Sequence, residues 1–205
     1  GTIVAGGCID GTIQFWNTLD REQDFMLDKS NGPIVALQFS PDEKYLAYSD
    51  TTGMFYLWDV RKKKYIVEGK KYPSPLTSLF FSPDSLNVIA VGNSAVYSIA
   101  CDQKSKEVTI RGHLSTIHMG LYSPDGDKIV TVSKDGTMKW WHSMDTRLLA
   151  TSYVFPTSYL IYSPEGYYYA PDNNNEWIIW YYDGLFLKDG LLKIEINRSL
   201  SALIF

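Results

Sequence analysis

Ser133, Asp135 and His113 are the residue types of a nucleophile, an orienting carboxylate and a general base, gathered in one short stretch. Acyl transfer by such a set needs an exposed hydroxyl within reach of the imidazole, and N–H donors aimed at the developing oxyanion. The sequence offers no G-x-S-x-G elbow or equivalent that would build this. It offers a second copy of the stretch instead. SKDGTMKWWH (133–142) and CIDGTIQFWN (8–17) share Asp, Gly, Thr and Trp at the same offsets, 125 residues apart. A decapeptide written twice in one chain reads as a recurring structural element rather than as a catalytic centre.

The element belongs to a longer period. Ser40-Pro41-Asp42, Ser82-Pro83-Asp84, Ser123-Pro124-Asp125 and Ser163-Pro164-Glu165 follow one another at steps of 42, 41 and 40 residues. Trp16, Trp58, Trp141 and Trp180 keep the same phase, and the skipped copy falls at Ile99. Two independent anchors with one period define a repeat. Each unit parses alike. An apolar strand (IVALQF, LTSLFF, TIHMGLY, TSYLIY) precedes a Ser-Pro-Asp reversal, where Pro blocks further pairing and Asp closes the turn. A second strand, an Asp-Gly-type turn, a third strand ending at the Trp position and a weaker polar fourth strand complete the unit. Four short strands per ~40 residues, with turn signals every 8–12, describe a propeller blade. The one segment open to a helical reading is LKDGLLKIEI (187–196).

Composition agrees. Aromatic residues make up 15% of the 205 residues and charged residues 20%, and bulky rings favour pleated, half-buried surfaces. A net charge of −4 supplies no overall attraction for nucleic acid or anionic lipid. Cys8 and Cys101 do not form a disulfide framework and suit a cytoplasmic or other reducing intracellular compartment. No apolar run approaches the ~20 residues of a membrane helix.

With Trp58-Asp59 and Gly112-His113 as its literal signature dipeptides, the chain resembles the WD40-repeat family over nearly its whole length. The resemblance implies an all-β propeller of four-stranded antiparallel blades. Five blade equivalents are expected, at about 1–27, 28–69, 70–111, 112–154 and 155–196, with 197–205 supplying a first strand. The set forms either a closed five-bladed ring or a segment of a larger, seven-bladed propeller; the start within a unit favours the segment. The resemblance also assigns His113, Ser133, Asp135 and Trp141 to a structural hydrogen-bonded tetrad, with Ser133 bridging His113 and the indole.

It further implies a non-enzymatic scaffold that binds proteins or peptides in a multiprotein complex. The segment SPEGYYYA is similar to segments of bacterial WD40 proteins that carry caspase-like peptidase domains, so the alternative is a regulatory propeller attached to an enzyme. Rigid loops preorganise contacts, and Arg and aromatic anchors dominate interfaces. On the face formed by loops into first strands and by second-to-third turns, the expected partner-binding residues are therefore Lys29, Tyr48, Lys70, Lys71, Tyr72, Arg111, Lys134 and Phe155.

Other groupings read as structure. His113, His118 and His142 lack metal-ligand spacing, so no metal and no cofactor are expected. The aromatic run YYYAPDNNNEWIIWYYDG fits contacts between blades better than base stacking. Arg61-Lys62-Lys63-Lys64 fits a solvated turn, which makes nucleic acid an unlikely partner.

Overall fold

Alternation of buried and exposed positions over short β-branched and aromatic runs produces strands throughout the described part of the chain. The computed structural model describes residues 3–19, 22–154, 159–165, 168–169, 180–182 and 185–187. Among these no helix occurs, and none is long and apolar enough to cross a membrane. The first sheet holds β1 (Ile3–Gly7), β2 (Ile13–Asn17) and β3 (Gln23–Leu27) in that order. The second holds β4 (Ile34–Phe39), β5 (Tyr45–Asp50), β6 (Met54–Asp59) and β7 (Lys64–Lys71). The third holds β8 (Ser78–Phe81), β9 (Asn87–Val91), β10 (Val96–Ala100) and β11 (Val108–Ile110). All neighbours pair antiparallel, and the first strands β4 and β8 lie side by side.

The fourth sheet departs from the expected unit. It holds β12 (Ile117–Tyr122), β13 (Lys128–Ser133), β14 (Thr137–His142) and β15 (Leu148–Val154), then continues through β16 (Tyr159–Tyr162) and β17 (Tyr168–Tyr169). Residues expected to open a fifth blade at 155–196 thus extend the fourth sheet, Val154 pairing with Tyr159 and Thr151 with Tyr162. β18 (Trp180–Tyr182) and β19 (Leu185–Leu187) form a separate hairpin. The expected closing strand at 197–205, and all of the 187–196 segment but Leu187, lie outside the described residues.

The Ser-Pro-Asp turns are built alike. Ser40 Oγ donates to Asp42 Oδ1 at 2.6 Å and accepts the Tyr45 amide at 2.9 Å, while Asp42 Oδ1 also accepts the Lys44 amide at 3.1 Å. Ser82 and Ser123 repeat the pattern with Asp84 and Asp125. These bonds satisfy backbone donors that the reversal would otherwise strand.

Cores form between sheets, because each strand offers one side chain in two to either neighbour. Trp58, Ile99 and Trp141, at the Trp position of the second, third and fourth sheets, face the preceding sheet, while Phe15 and Leu57, one residue before that position in the first and second, face the following one. Phe15 accordingly packs with Leu46, Tyr48 and Trp58, and Leu57 packs with Leu79, Phe81 and Val88. Burying such a side chain stabilises by about 1.5–3 kcal/mol. Trp140 takes the same position in the fourth sheet and is buried, but the third sheet has Ser98 there, half-exposed. Loops enter the next blade tightly over the previous turn. A Cβ on Gly53, at φ 84°, would sit 2.9 Å from the Ser74 carbonyl oxygen, and one on Gly11 2.9 Å from that of Ser30. Both the positive φ and the close approach require glycine.

Candidate functional site

The turn joining β13 to β14 clamps the loop that enters β12. Asp135 Oδ2 accepts the Leu114 amide at 2.8 Å and lies 3.1 Å from His113 Nδ1. Its other oxygen accepts the Thr137 amide at 2.9 Å and the Thr137 hydroxyl at 2.6 Å. On the far side of the imidazole, His113 Nε2 lies 2.7 Å from Thr131 Oγ1, and Trp141 Nε1 donates to the same oxygen at 2.8 Å. One consistent arrangement runs from the indole N–H to Thr131, from the Thr131 hydroxyl to Nε2, and from Nδ1–H to Asp135. Burial alone would raise the Asp135 carboxyl, but the bonds from Thr137, Leu114 and His113 outweigh it and hold the group well below the usual range. Burial likewise lowers His113 below its ordinary 6.5, against the pull of Asp135, which keeps the ring neutral.

The bridging hydroxyl is therefore Thr131, where the sequence reading places Ser133. Register gives the reason. Ile129 pairs with Trp141, and Thr131 is its diagonal neighbour on the same face; Ser133 lies one further step away, beyond reach of the indole. Ser133 instead donates to the carbonyls of Thr116, at 3.0 Å, and Ser115, at 3.2 Å, and the Lys134 amide donates to Thr116 at 2.8 Å. His113 and Ser133 share no hydrogen bond, so no nucleophile–base pair exists between them. In the second sheet Ser30 stands at the position of His113 and Asp50 at that of Ser133, and Ser30 Oγ donates to Asp50 Oδ2 at 2.8 Å. The clamp survives there with different chemistry.

The clamped loop carries Leu114, 94% exposed, and is flanked by Arg111 and Lys134, both exposed. Neither cation makes an ion pair among the described residues. Lys29, Lys70 and Lys71 lie at the same end of the sheets. Lys29 pairs with Glu68 at 3.4 Å, Lys70 pairs with Glu107 at 2.8 Å, and Lys71 donates to the Thr52 carbonyl. Leu114 escapes the sequence reading, which sought charged and aromatic anchors, although its place directly after Gly-His marks it as a loop residue.

Tyr48 and Tyr72 are not on this surface. Every residue of β5 is buried, and Tyr48 stacks on Tyr56 at 4.6 Å within the core between the first two sheets. Tyr72 turns inward against Phe55 and Tyr97, and its hydroxyl donates to Glu107. An aromatic body can fill a core while its hydroxyl reaches one acceptor, and burial followed by the Glu107 bond raises this phenol. Phe155 lies outside the described residues. The histidines sit apart: His118 is exposed on β12, and His142 Nδ1 lies 3.0 Å from Asp145 Oδ1. Among the described residues no three His, Cys, Asp or Glu side chains converge as a metal site. Within the basic run, Arg61 donates to the Asp42 carbonyl at 3.0 Å and Lys62 Nζ lies 3.9 Å from Asp59 Oδ2.

The family model described as WD domain, G-beta repeat matches residues 104–142, the segment that holds this network. The chain belongs to the WD40-repeat family. An uncharacterized WD repeat-containing protein of Synechocystis is 28% identical to this WD40 chain over 140 residues, covering 66% of the chain and 40% of that protein. Apoptotic protease-activating factor 1 of Mus musculus is 26% identical over 156 residues, covering 69% of the chain and 12% of that protein. The chain thus spans well under half the length of these curated relatives. The β-propeller domain of Cps50 (Swd1) from Myceliophteria thermophila superposes with a TM-score of 0.66 at 14% identity, over 80% of this chain and 59% of that one. That likeness shows the fold, a propeller of four-stranded blades. WD40 propeller domains generally bind other proteins and are generally non-catalytic.

Proposed function

We propose that this WD40 chain is a non-enzymatic scaffold that docks protein or peptide partners on the loop face around Leu114, as part of a multiprotein complex. The carrying observation is that Leu114 is 94% exposed on a loop tied down by Asp135, Ser133 and Lys134. An apolar side chain held rigid in water loses little entropy on binding. Arg111 and Lys134 beside it, with Lys29, Lys70 and Lys71 at the same end, favour an acidic partner surface. The two free thiols, Cys8 and Cys101, suit a cytoplasmic or other reducing compartment.

The test is quantitative capture from the native source on wild type, Leu114→Asp and Arg111→Glu proteins. Loss of the same bound proteins by about fivefold or more from both variants supports the reading; an unchanged set overturns it. A second reading, a regulatory propeller within a larger protein that carries an enzymatic domain, is favoured by the 12% share of apoptotic protease-activating factor 1 that the chain spans. An adjoining catalytic domain in the full open reading frame decides for it.

A further inference from the structure

At the opposite end of the sheets, between the third and fourth, lies a cleft of about 570 Å³. Its origin is legible in the repeat. Ser98 lines it, at the position where the first and second sheets place Phe15 and Leu57 toward their following neighbour and the fourth sheet has the buried Trp140. The outer strand beside it, β11, has three residues, against eight in β7 and seven in β15, and follows a polar connection over 101–107. A missing side chain and a short strand together open the seam.

The lining is apolar and acidic. Leu86 is 63% exposed and Met144 84%, while half-buried Tyr122 has its hydroxyl 3.5 Å from Ser98 Oγ. Asp84, Asp125 and Asp127 face Lys106 as the one basic residue of the lining. Asp84 and Asp125 each commit one oxygen to a Ser-Pro-Asp turn, and Asp125 Oδ2 lies 3.9 Å from Lys128. The Asp127 carboxylate has no hydrogen bond or ion pair among the described residues.

We propose that this cleft is a docking groove for a peptide segment of a partner protein that presents a bulky apolar side chain next to Lys or Arg. The apolar group occupies volume that a core side chain fills in the other seams, and the cation meets the acidic rim. A second copy of the chain, itself acidic with a net charge of −4, is the poorer electrostatic match. The groove rests on the reading of the chain as an interaction module but uses the end away from Leu114.

The experiment selects phage-displayed random twelve-residue peptides on the full chain, in parallel with its Ser98→Phe variant, whose fold is checked by thermal melting. Synthetic copies of enriched peptides are then titrated by fluorescence anisotropy. Expected are sequences pairing an aromatic or Leu with Lys or Arg, binding weakened about tenfold or more by Ser98→Phe. Asp127→Lys, which leaves the interior untouched, weakens them about threefold to tenfold, more so at low salt. Peptides without basic residues, or binding indifferent to both variants, overturn the groove. Self-association in sedimentation that Ser98→Phe abolishes overturns it in favour of a second copy. Peptides lost with Leu114→Asp but kept with Ser98→Phe overturn the groove and leave the loop-face reading standing.

Discussion

Tyr48 occupies in the second sheet the position that Thr131 holds in the fourth, and the buried indole N–H of its neighbour Trp58 is left without an acceptor. The Tyr48 hydroxyl has moved to the far end of the ring, 2.7 Å from that of Tyr65. The same signature residue is thus satisfied in one blade and orphaned in another. Trp141→Phe is expected to cost about 1–3 kcal/mol by breaking the bond to Thr131. Trp58→Phe removes an unpaired buried donor and costs less, which denaturant melts of the two variants would compare directly.

Thr131→Val is expected to cost about 1–3 kcal/mol, because it leaves both His113 Nε2 and the Trp141 indole without a partner. Asp135→Ala belongs in the same range, stranding His113 and the Leu114 amide. Equal, near-zero losses in urea titrations would show that the network does not hold this blade together.

Acid should destabilise the chain in two steps. His113 has a folded value below its ordinary 6.5, and Asp135 one below its ordinary 3.8. For both, the unfolded chain binds protons more readily, so stability falls as pH falls. The His113 contribution is intact at neutral pH and is lost below about 6.5; the Asp135 contribution is lost below about 4. Tm recorded from pH 8 to 5 should decline, and His113→Gln should flatten that decline.

Lys139 is buried on the same sheet face as Thr131, and its ammonium donates to Thr151 Oγ1 at 3.0 Å with no carboxylate partner among the described residues. A buried cation without a counter-charge is costly. Lys139→Met should therefore stabilise by roughly 1 kcal/mol, raising Tm by about 2–4 °C. A lower Tm would reveal a partner for the ammonium.

Much of this was legible in the repeat, because its period and its Ser-Pro-Asp and Trp anchors place most strands and turns directly. What escaped depends on register and on neighbours. Thr131 and Ser133 lie two residues apart on one face, so only the pairing of Ile129 with Trp141 decides which hydroxyl the indole reaches. Tyr48 and Tyr72 carry surface-type hydroxyls, and only the adjacent sheets bury them. β16 pairs with β15, a choice between neighbouring edges that alternation alone does not encode. Ser98, by contrast, could have been found by stacking the third strands, since it alone breaks the row of Phe15, Leu57 and Trp140.

Gly11 and Gly53 give two successive seams one shape: each turn lies so close to the next loop that a Cβ on the glycine would sit 2.9 Å from that loop's carbonyl oxygen. Where two seams share a shape in this way, a unit bounded by them can be gained or shed by duplication or deletion of its coding segment, and the new neighbours still meet complementary faces. Blade number is then free to drift over evolution while each core stays solved. The departures from the repeat, Ser98 and the Leu114 loop among them, are the places where such copies have become individuals.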